Sequence, residues 1–365
     1  MRIYIMALEP IDTRYTGQWY YHLPLVFFKH IVSQEPYIDI DVITIDGYDD
    51  KTFPQGTTSA TTEGAFLNFL DTNIWKNNQI NKLVSEFKKK EVNAGDKILF
   101  PDAWHSGILQ VKYISELLDI PVQIHSIWHA GSYDPQDFLG RKIKDKNWTY
   151  NAERSYFYAS NHNYFATQYH IDLFINNLEP TEGRFDDKKI TLSGLPFEFL
   201  WNELKPYKNL PKKNKILFPH RIAPEKQPEI FKDLAKEFPD YEFVFCQDKK
   251  LTKHEYHTLL GESKAIFSAN LQETFGISAV EACIVGTIPI LPKRLSYKEM
   301  YKDILMYDSI WTESFENYLK YKQELVSFTK NLLDLDIQGV LESQAKDLLQ
   351  YFCTPEKLYK NLING

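Results

Sequence analysis

The chain has 365 residues, 43% of them apolar and 25% charged, with a net charge of −7. That is room for about two domains of ~150 residues with real cores, and it excludes global disorder. No stretch approaches the ~18 consecutive apolar residues of a membrane span, and the opening Met1 to Pro10 turns acidic too soon for a signal peptide, so a soluble cytoplasmic protein is expected. The cysteines Cys246, Cys283 and Cys353 offer no CxxC pair, no zinc spacing and no disulfide framework.

In chain order, apolar runs at Arg2 to Leu8, Ile38 to Ile45, Lys97 to Phe100, Val122 to Trp128 and Tyr164 to Thr167 alternate with amphipathic stretches. This is the pattern of βαβ units around a mostly parallel sheet. A second set of strands is expected at Lys215 to Phe218, Tyr241 to Cys246, Ala265 to Ser268 and Thr287 to Leu291, with helices at Pro228 to Glu237 and Ile277 to Val285 between them. The polar segment Lys205 to Asn214, with two prolines and four lysines, reads as an inter-domain linker. From Thr312 to Ile363 apolar residues recur at helical intervals. The expectation is an α/β protein: a first Rossmann-like domain over residues 1–204, a second over 205–345, and a C-terminal helix over 346–365 packing back toward the first. Ligands of two such sheets bind where the carboxyl ends of the strands converge.

Residues 1–200 hold 19 Lys and Arg against 26 Asp and Glu, while 201–365 hold 23 of each. A wholly basic nucleic-acid platform is thereby excluded; short basic loops are not, because charges are screened over about 8 Å at physiological salt. No metal is implied: the histidines are scattered, and Asp39 and Asp41, the pair with Asp-x-Asp spacing, lie in an apparent strand.

The most informative segment runs from Ser268 to Ala282, then Gly286-Thr287-Ile288-Pro289-Ile290, and reads strand, loop, helix, turn, strand. Thr274, Phe275 and Gly276 fall at a helix N-terminus, where unpaired N–H groups and the helix dipole attract phosphate. Glu273 and Glu281 are carboxylates able to accept from sugar hydroxyls; alone, they are equally a helix-start carboxylate and an exposed face residue. Around Pro219-His220-Arg221-Ile222-Ala223-Pro224-Glu225-Lys226, a strand opens into a loop with two cations that suit a diphosphate, or simply face solvent. In the first half, strand Val122 to Trp128 runs into His129-Ala130-Gly131-Ser132-Tyr133-Asp134-Pro135, placing His129 at a strand end; His125 sits inside the strand.

The string Glu273, seven residues, Glu281, with Phe275-Gly276-Ile277 inside it, resembles the donor site of the retaining family 4 glycosyltransferases of GT-B fold. The resemblance implies a transferase using a nucleotide-diphosphate sugar, a UDP-sugar favoured, with no cofactor and no metal, the 1–204 domain taking the acceptor and the 205–345 domain the donor. Glu281 would hold the ribose, Glu273 the transferred sugar and the backbone of Phe275 to Ile277 the distal phosphate. Arg221 and Lys226 would meet the diphosphate, and His129 the sugar. The opening loop from Glu9 to Trp19 stands where the family carries a glycine pair against the phosphates; only Gly17 represents it, with Arg14 beside it.

The Pro219-His220-Arg221 loop is similar to the branch that mannosylates queuosine in transfer RNA. The strings Arg14 to Trp19, His129 to Pro135 and Thr61 to Gln79 are similar to phage-encoded enzymes that glycosylate hydroxymethylated pyrimidines in DNA, which would place the protein in a host cytoplasm. Arg141, Lys142, Lys144 and Lys146 with Trp148 mix cations and an aromatic as nucleic-acid binders do, and Trp104 could line the acceptor side; Lys88-Lys89-Lys90 is a further basic run. Modified DNA or tRNA is thus the expected partner. A glycan or small metabolite as acceptor, an epimerase on the same fold, and a non-enzymatic nucleic-acid-binding protein are the alternatives.

Overall fold

In the computed structural model of the chain, residues 1–11, 14–34, 39–48, 68–178 and 184–364 are described. Asp12, Thr13, Ile38 and the Thr61 to Leu67 part of the phage-like string lie outside them. The chain forms two compact units, one of Met1–Ala166, His170–Pro196 and Pro355–Gly365, the other of Thr167–Tyr169 and Phe197–Thr354.

The first unit runs β1 (Arg2–Met6), α1 (Tyr15–Gln34), β2 (Asp41–Ile45), α2 (Phe69–Lys88), β3 (Lys97–Phe100), α3 (Gly107–Leu117), β4 (Gln123–Ile127), α4 (Phe138–Lys142), α5 (Lys146–Ala159), β5 (His162–Phe165), α6 (Gln168–Leu178) and β6 (Ile190–Leu192). Its strands form one parallel sheet of order β2-β1-β3-β4-β5-β6. The second contains α7 (Leu200–Leu204), β7 (Lys213–Phe218), α8 (Pro228–Leu234), β8 (Glu242–Phe245), α9 (Lys253–Glu262), β9 (Ser263–Phe267), α10 (Ile277–Ile284), β10 (Ile288–Pro292), α11 (Tyr297–Met300), β11 (Met306–Tyr307), α12 (Phe315–Lys320), α13 (Lys322–Asp334) and α14 (Gln338–Tyr351), with parallel order β11-β10-β9-β7-β8. The last helix, α15 (Glu356–Asn364), belongs to the first unit.

Strands covered on both faces read as unbroken apolar runs, which is why β3 and β10 are buried from end to end. In the first sheet the chain steps outward from β1 to β2 and returns to β3 on the other side. In the second it does the same from β7 through β8 to β9. Each reversal opens a crevice at the carboxyl ends, between β1 and β3 and between β7 and β9, where parallel sheets bind ligands.

Three sequence expectations need correction. The division after the first unit falls between Pro196 and Phe197, so the lysine-rich Lys205 to Asn214 segment is not the linker. Its reason is Lys212, whose ammonium donates to the carbonyls of Gly261 and Val285 and to the Thr287 hydroxyl at 2.7–3.0 Å, tying the ends of α9 and α10. Gly17 lies in the first turn of α1 rather than in a loop. Asp39 precedes β2, whose first residue is Asp41.

Candidate nucleotide-sugar site

The second sheet's crevice is built from the segment that follows β7 and the segment that follows β9. After β7, His220 is buried and its imidazole is pushed well below its usual pKa, first by burial and then by the Lys226 ammonium. Arg221 follows, its guanidinium closing on Glu225 through Nε (3.0 Å) and Nη2. A short 3₁₀ turn over Pro224–Lys226 then brings Lys226 inward. Its ammonium donates to the Gln272 carbonyl at 2.6 Å and lies 3.4 Å from Glu273 Oε2.

After β9, Asn270 donates to Glu273 Oε2 (3.3 Å) and to the Tyr297 hydroxyl (3.1 Å). Glu273 is thus held between an ammonium and an amide, ahead of the N-terminus of α10. Gly276 caps that helix at φ +83°, and a Cβ there would stand 2.9 Å from the Tyr297 ring. Only glycine takes this conformation without strain, and it lets a ligand approach the exposed N–H groups. Gly276→Ala is expected to cost about 1–2 kcal/mol of stability, measured by urea unfolding. Thr274 and Phe275 are buried just before the helix, Phe275 stacking on Phe197 with ring centroids 5.5 Å apart, and Ile277 is its first residue.

Glu281, one turn further, is 2% exposed. Burial alone would raise its pKa; Lys253 at 2.9 Å and His257 at 3.5 Å override that and hold it down at about 2. The structure therefore brings Arg221, Lys226, Glu273, Thr274, Phe275, Gly276 and Ile277 to the β7/β9 crevice and sets Glu281 behind them on α10.

In the first unit, His129 follows β4, and its Nε2–H donates to the Pro101 carbonyl at 2.9 Å. That acceptor fixes the tautomer and leaves Nδ1 as the ring's acceptor. Burial keeps the ring neutral, against the pull of Asp102. Tyr15 and Trp19 of α1 pack on it at 5.4 and 5.5 Å between centroids, so Arg14 and Gly17 lie beside His129 on the β1/β3 side. Beneath the turn, Glu153 accepts from Ser132 N (2.6 Å), Ser132 Oγ (2.8 Å) and Trp104 Nε1 (2.9 Å). Burial raises its pKa to about 7. Trp104 is therefore a partner of this buried carboxylate. His125 is enclosed in β4, with Nδ1 2.8 Å from the Tyr164 hydroxyl.

Of the basic segment, Arg141, Lys142 and Lys144 are exposed and Trp148 is 53% exposed in the first turn of α5. Lys146 departs from its expected role: its ammonium donates to the Ser132 and Gly140 carbonyls and ties the loop after His129. Sequence reasoning missed Asn270, Tyr297, Asp102, Glu153 and Glu225. It also missed Lys253 and His257, whose signal was their spacing of four on one helix. Among the described residues no group of three or more His, Cys, Asp or Glu side chains is placed to share a metal ion, and no helix is long and apolar enough to cross a membrane.

No protein-family model matches the chain. Solved structures do. The sucrose-phosphate synthase of Thermosynechococcus elongatus superposes with a TM-score of 0.59 at 10% identity, over 99% of this chain and 97% of that one. The fold is GT-B. The lipopolysaccharide outer core galactosyltransferase WaaB matches with a TM-score of 0.56 at 11% identity, over 100% and 99% of the two chains. The catalytic domain of starch synthase IV from Arabidopsis thaliana, bound to ADP and acarbose, matches at 0.52 and 13% identity, over 100% and 99%. At such identities the likeness is one of fold.

Proposed function

We propose that the chain is a retaining glycosyltransferase that moves a hexose or pentose from a nucleotide-diphosphate sugar, a UDP-sugar favoured, to a hydroxyl. The observation that carries this reading is the convergence of Arg221, Lys226, Glu273 and the α10 N-terminus on one crevice, with the ionised Glu281 on the same helix. Starch synthase IV is seen with ADP and a pneumococcal O-GlcNAc transferase with UDP and GlcNAc, which fits a nucleotide at this site.

In this reading Glu281 accepts from the ribose hydroxyls and Glu273 from the transferred sugar. Departure of the sugar leaves an additional negative charge on the diphosphate. Lys226, Arg221 and the N–H groups at Gly276 and Ile277 stabilise that charge, without help from a metal ion. Both cations are already set by carboxylates, Glu225 and Glu273, so they are oriented before a phosphate arrives. His129 Nδ1 accepts from a sugar hydroxyl. The acceptor's proton passes to the donor phosphate on the same face, so no side chain is assigned as general base.

The acceptor proposed first is a hydroxymethylated pyrimidine in phage-type DNA. The exposed Arg141, Lys142 and Lys144 would meet phosphates and Trp148 would stack a base. Nucleotide release from UDP- and GDP-sugars, with and without hydroxymethylcytosine or hydroxymethyluracil DNA, tests both parts. Release only with modified DNA is expected. Donor binding without DNA-dependent release sends the acceptor to tRNA queuosine, a glycan or a small metabolite. Conversion of the sugar without acceptor would establish an epimerase, and salt-sensitive DNA binding with no sugar-nucleotide affinity a binding protein. Glu281→Ala is expected to raise the donor KM roughly 10- to 100-fold, the loss of hydrogen bonds to a charged group, with a smaller change in kcat.

A further inference from the structure

Two side chains of α9, those of Lys253 and His257, meet on Glu281, and Tyr256 stands beside them. Lys253, Tyr256 and His257 are spaced by three and four residues and so share one face of that helix. The Lys253 ammonium donates to Glu281 Oε1 at 2.9 Å, and His257 Nε2 stands 3.5 Å from the same oxygen. The Lys253 ammonium lies 5.3 Å from the centre of the Tyr256 ring, whose face holds it beside Glu281. His257 is itself 2% exposed, and Tyr207 packs against its ring at 5.4 Å. The start of α9 is pinned by a capping box in which Thr252 and Glu255 bond each other's backbone N–H, so the three residues are presented from a fixed helix end.

A fully buried carboxylate has several rotamers open to it and is costly to bury ionised. Two contacts on a single oxygen select one rotamer and keep the charge. An oriented, ionised carboxylate out of water discriminates sharply between a ligand that supplies both hydroxyl donors and one that lacks a donor, because the second leaves part of a buried charge unpaired.

We propose that Lys253, Tyr256 and His257 are positioning residues that fix Glu281 for a ribose diol and thereby set the preference for ribonucleotide over 2′-deoxyribonucleotide donors. This rests on the reading of Glu281 as the ribose carboxylate. None of the three need touch the transferred sugar; their effect is confined to how well the nucleoside is held.

The test is titration calorimetry of the full chain with UDP and GDP and with dUDP and dGDP. The wild-type protein is expected to bind the ribonucleotide of one pair about tenfold or more tighter than its 2′-deoxy counterpart. Lys253→Met and His257→Asn are expected to bring that ratio close to one, chiefly by weakening the ribonucleotide. Lys253→Arg is expected to restore most of it, and Tyr256→Leu, which removes the ring beside the ammonium, to lower it partly, with thermal unfolding confirming that each variant is folded. Equal wild-type affinity for ribo- and deoxynucleotide, or binding of neither pair, overturns the ribose reading of Glu281. Wild-type discrimination that survives in both Lys253→Met and His257→Asn overturns the positioning role while leaving that reading intact.

Discussion

Lys226→Ala is expected to lower kcat by about 10²- to 10³-fold while the donor KM changes much less, the signature of a contact that strengthens as charge develops. The side chain is 8% exposed, and its ammonium sits between the Gln272 carbonyl and Glu273. Water does not readily take its place in so enclosed a position, and a cation there acts through a low local dielectric. Arg221 is the weaker of the two: it is 22% exposed and already spends two N–H groups on Glu225. Arg221→Ala should likewise reduce turnover more than affinity, but by less than Lys226→Ala. Single-turnover nucleotide release with saturating donor separates the two effects. A Lys226→Ala protein that is folded and turns over within twofold of wild type would remove the diphosphate from this crevice.

The strands placed most sharply from sequence are those with both faces covered, though the partly exposed edge strands β2 and β8 were found as well. Lys97 to Phe100 and Thr287 to Leu291 are apolar almost throughout, and they appear as β3 and β10 within a residue at either end. The two shortest edge strands were not found: β6 has three half-buried residues and β11 only two, both buried, too few for any periodicity to show. Glu273 and the Thr274 to Ile277 helix start were legible because glycine, small residues and a following strand leave few alternatives for that stretch.

Lysines turned onto the backbone were the main source of misreading: Lys212 in the apparent linker and Lys146 in the basic loop direct their ammonium groups at backbone carbonyls, as Lys97 of β3 also does. Composition counts such residues as exposed charge, whereas here they occupy carbonyls at or near the ends of helices, where a cation is favoured. Lys212 and Lys97 are both pushed down to about 8 by burial. The contacts of Glu281 with α9 were illegible for a different reason. They join residues 28 and 24 positions apart that only the sheet order brings together.

The buried acid beneath His129 leads to the second large effect. Glu153 titrates near pH 7 in the folded chain, first because burial disfavours its charge, against the Ser132, Trp104 and Lys146 contacts that favour it. In the unfolded chain it titrates near 4.3. Between those values the folded state holds a proton the unfolded state has released, so stability contributed by this group falls as pH rises through the window. The loss amounts to about 4 kcal/mol by pH 8, at about 1.4 kcal/mol per pKa unit. Buried histidines work in the opposite sense: His105 and His170 are held down at about 3, so protonating them costs stability as pH falls below 6.5. The wild-type curve mixes these contributions, and the clean quantity is its difference from Glu153→Gln, which cannot titrate. Urea unfolding at pH 5 and pH 8 is expected to show that difference moving by about 3 kcal/mol in favour of the glutamine variant. A difference that stays constant across that range would mean that Glu153 is ionised throughout, its three donors outweighing burial. In that case the turn carrying His129 would be held by the same charge at either pH, and the pH dependence of stability would come from other groups, the buried histidines and the lysines held near 8 among them.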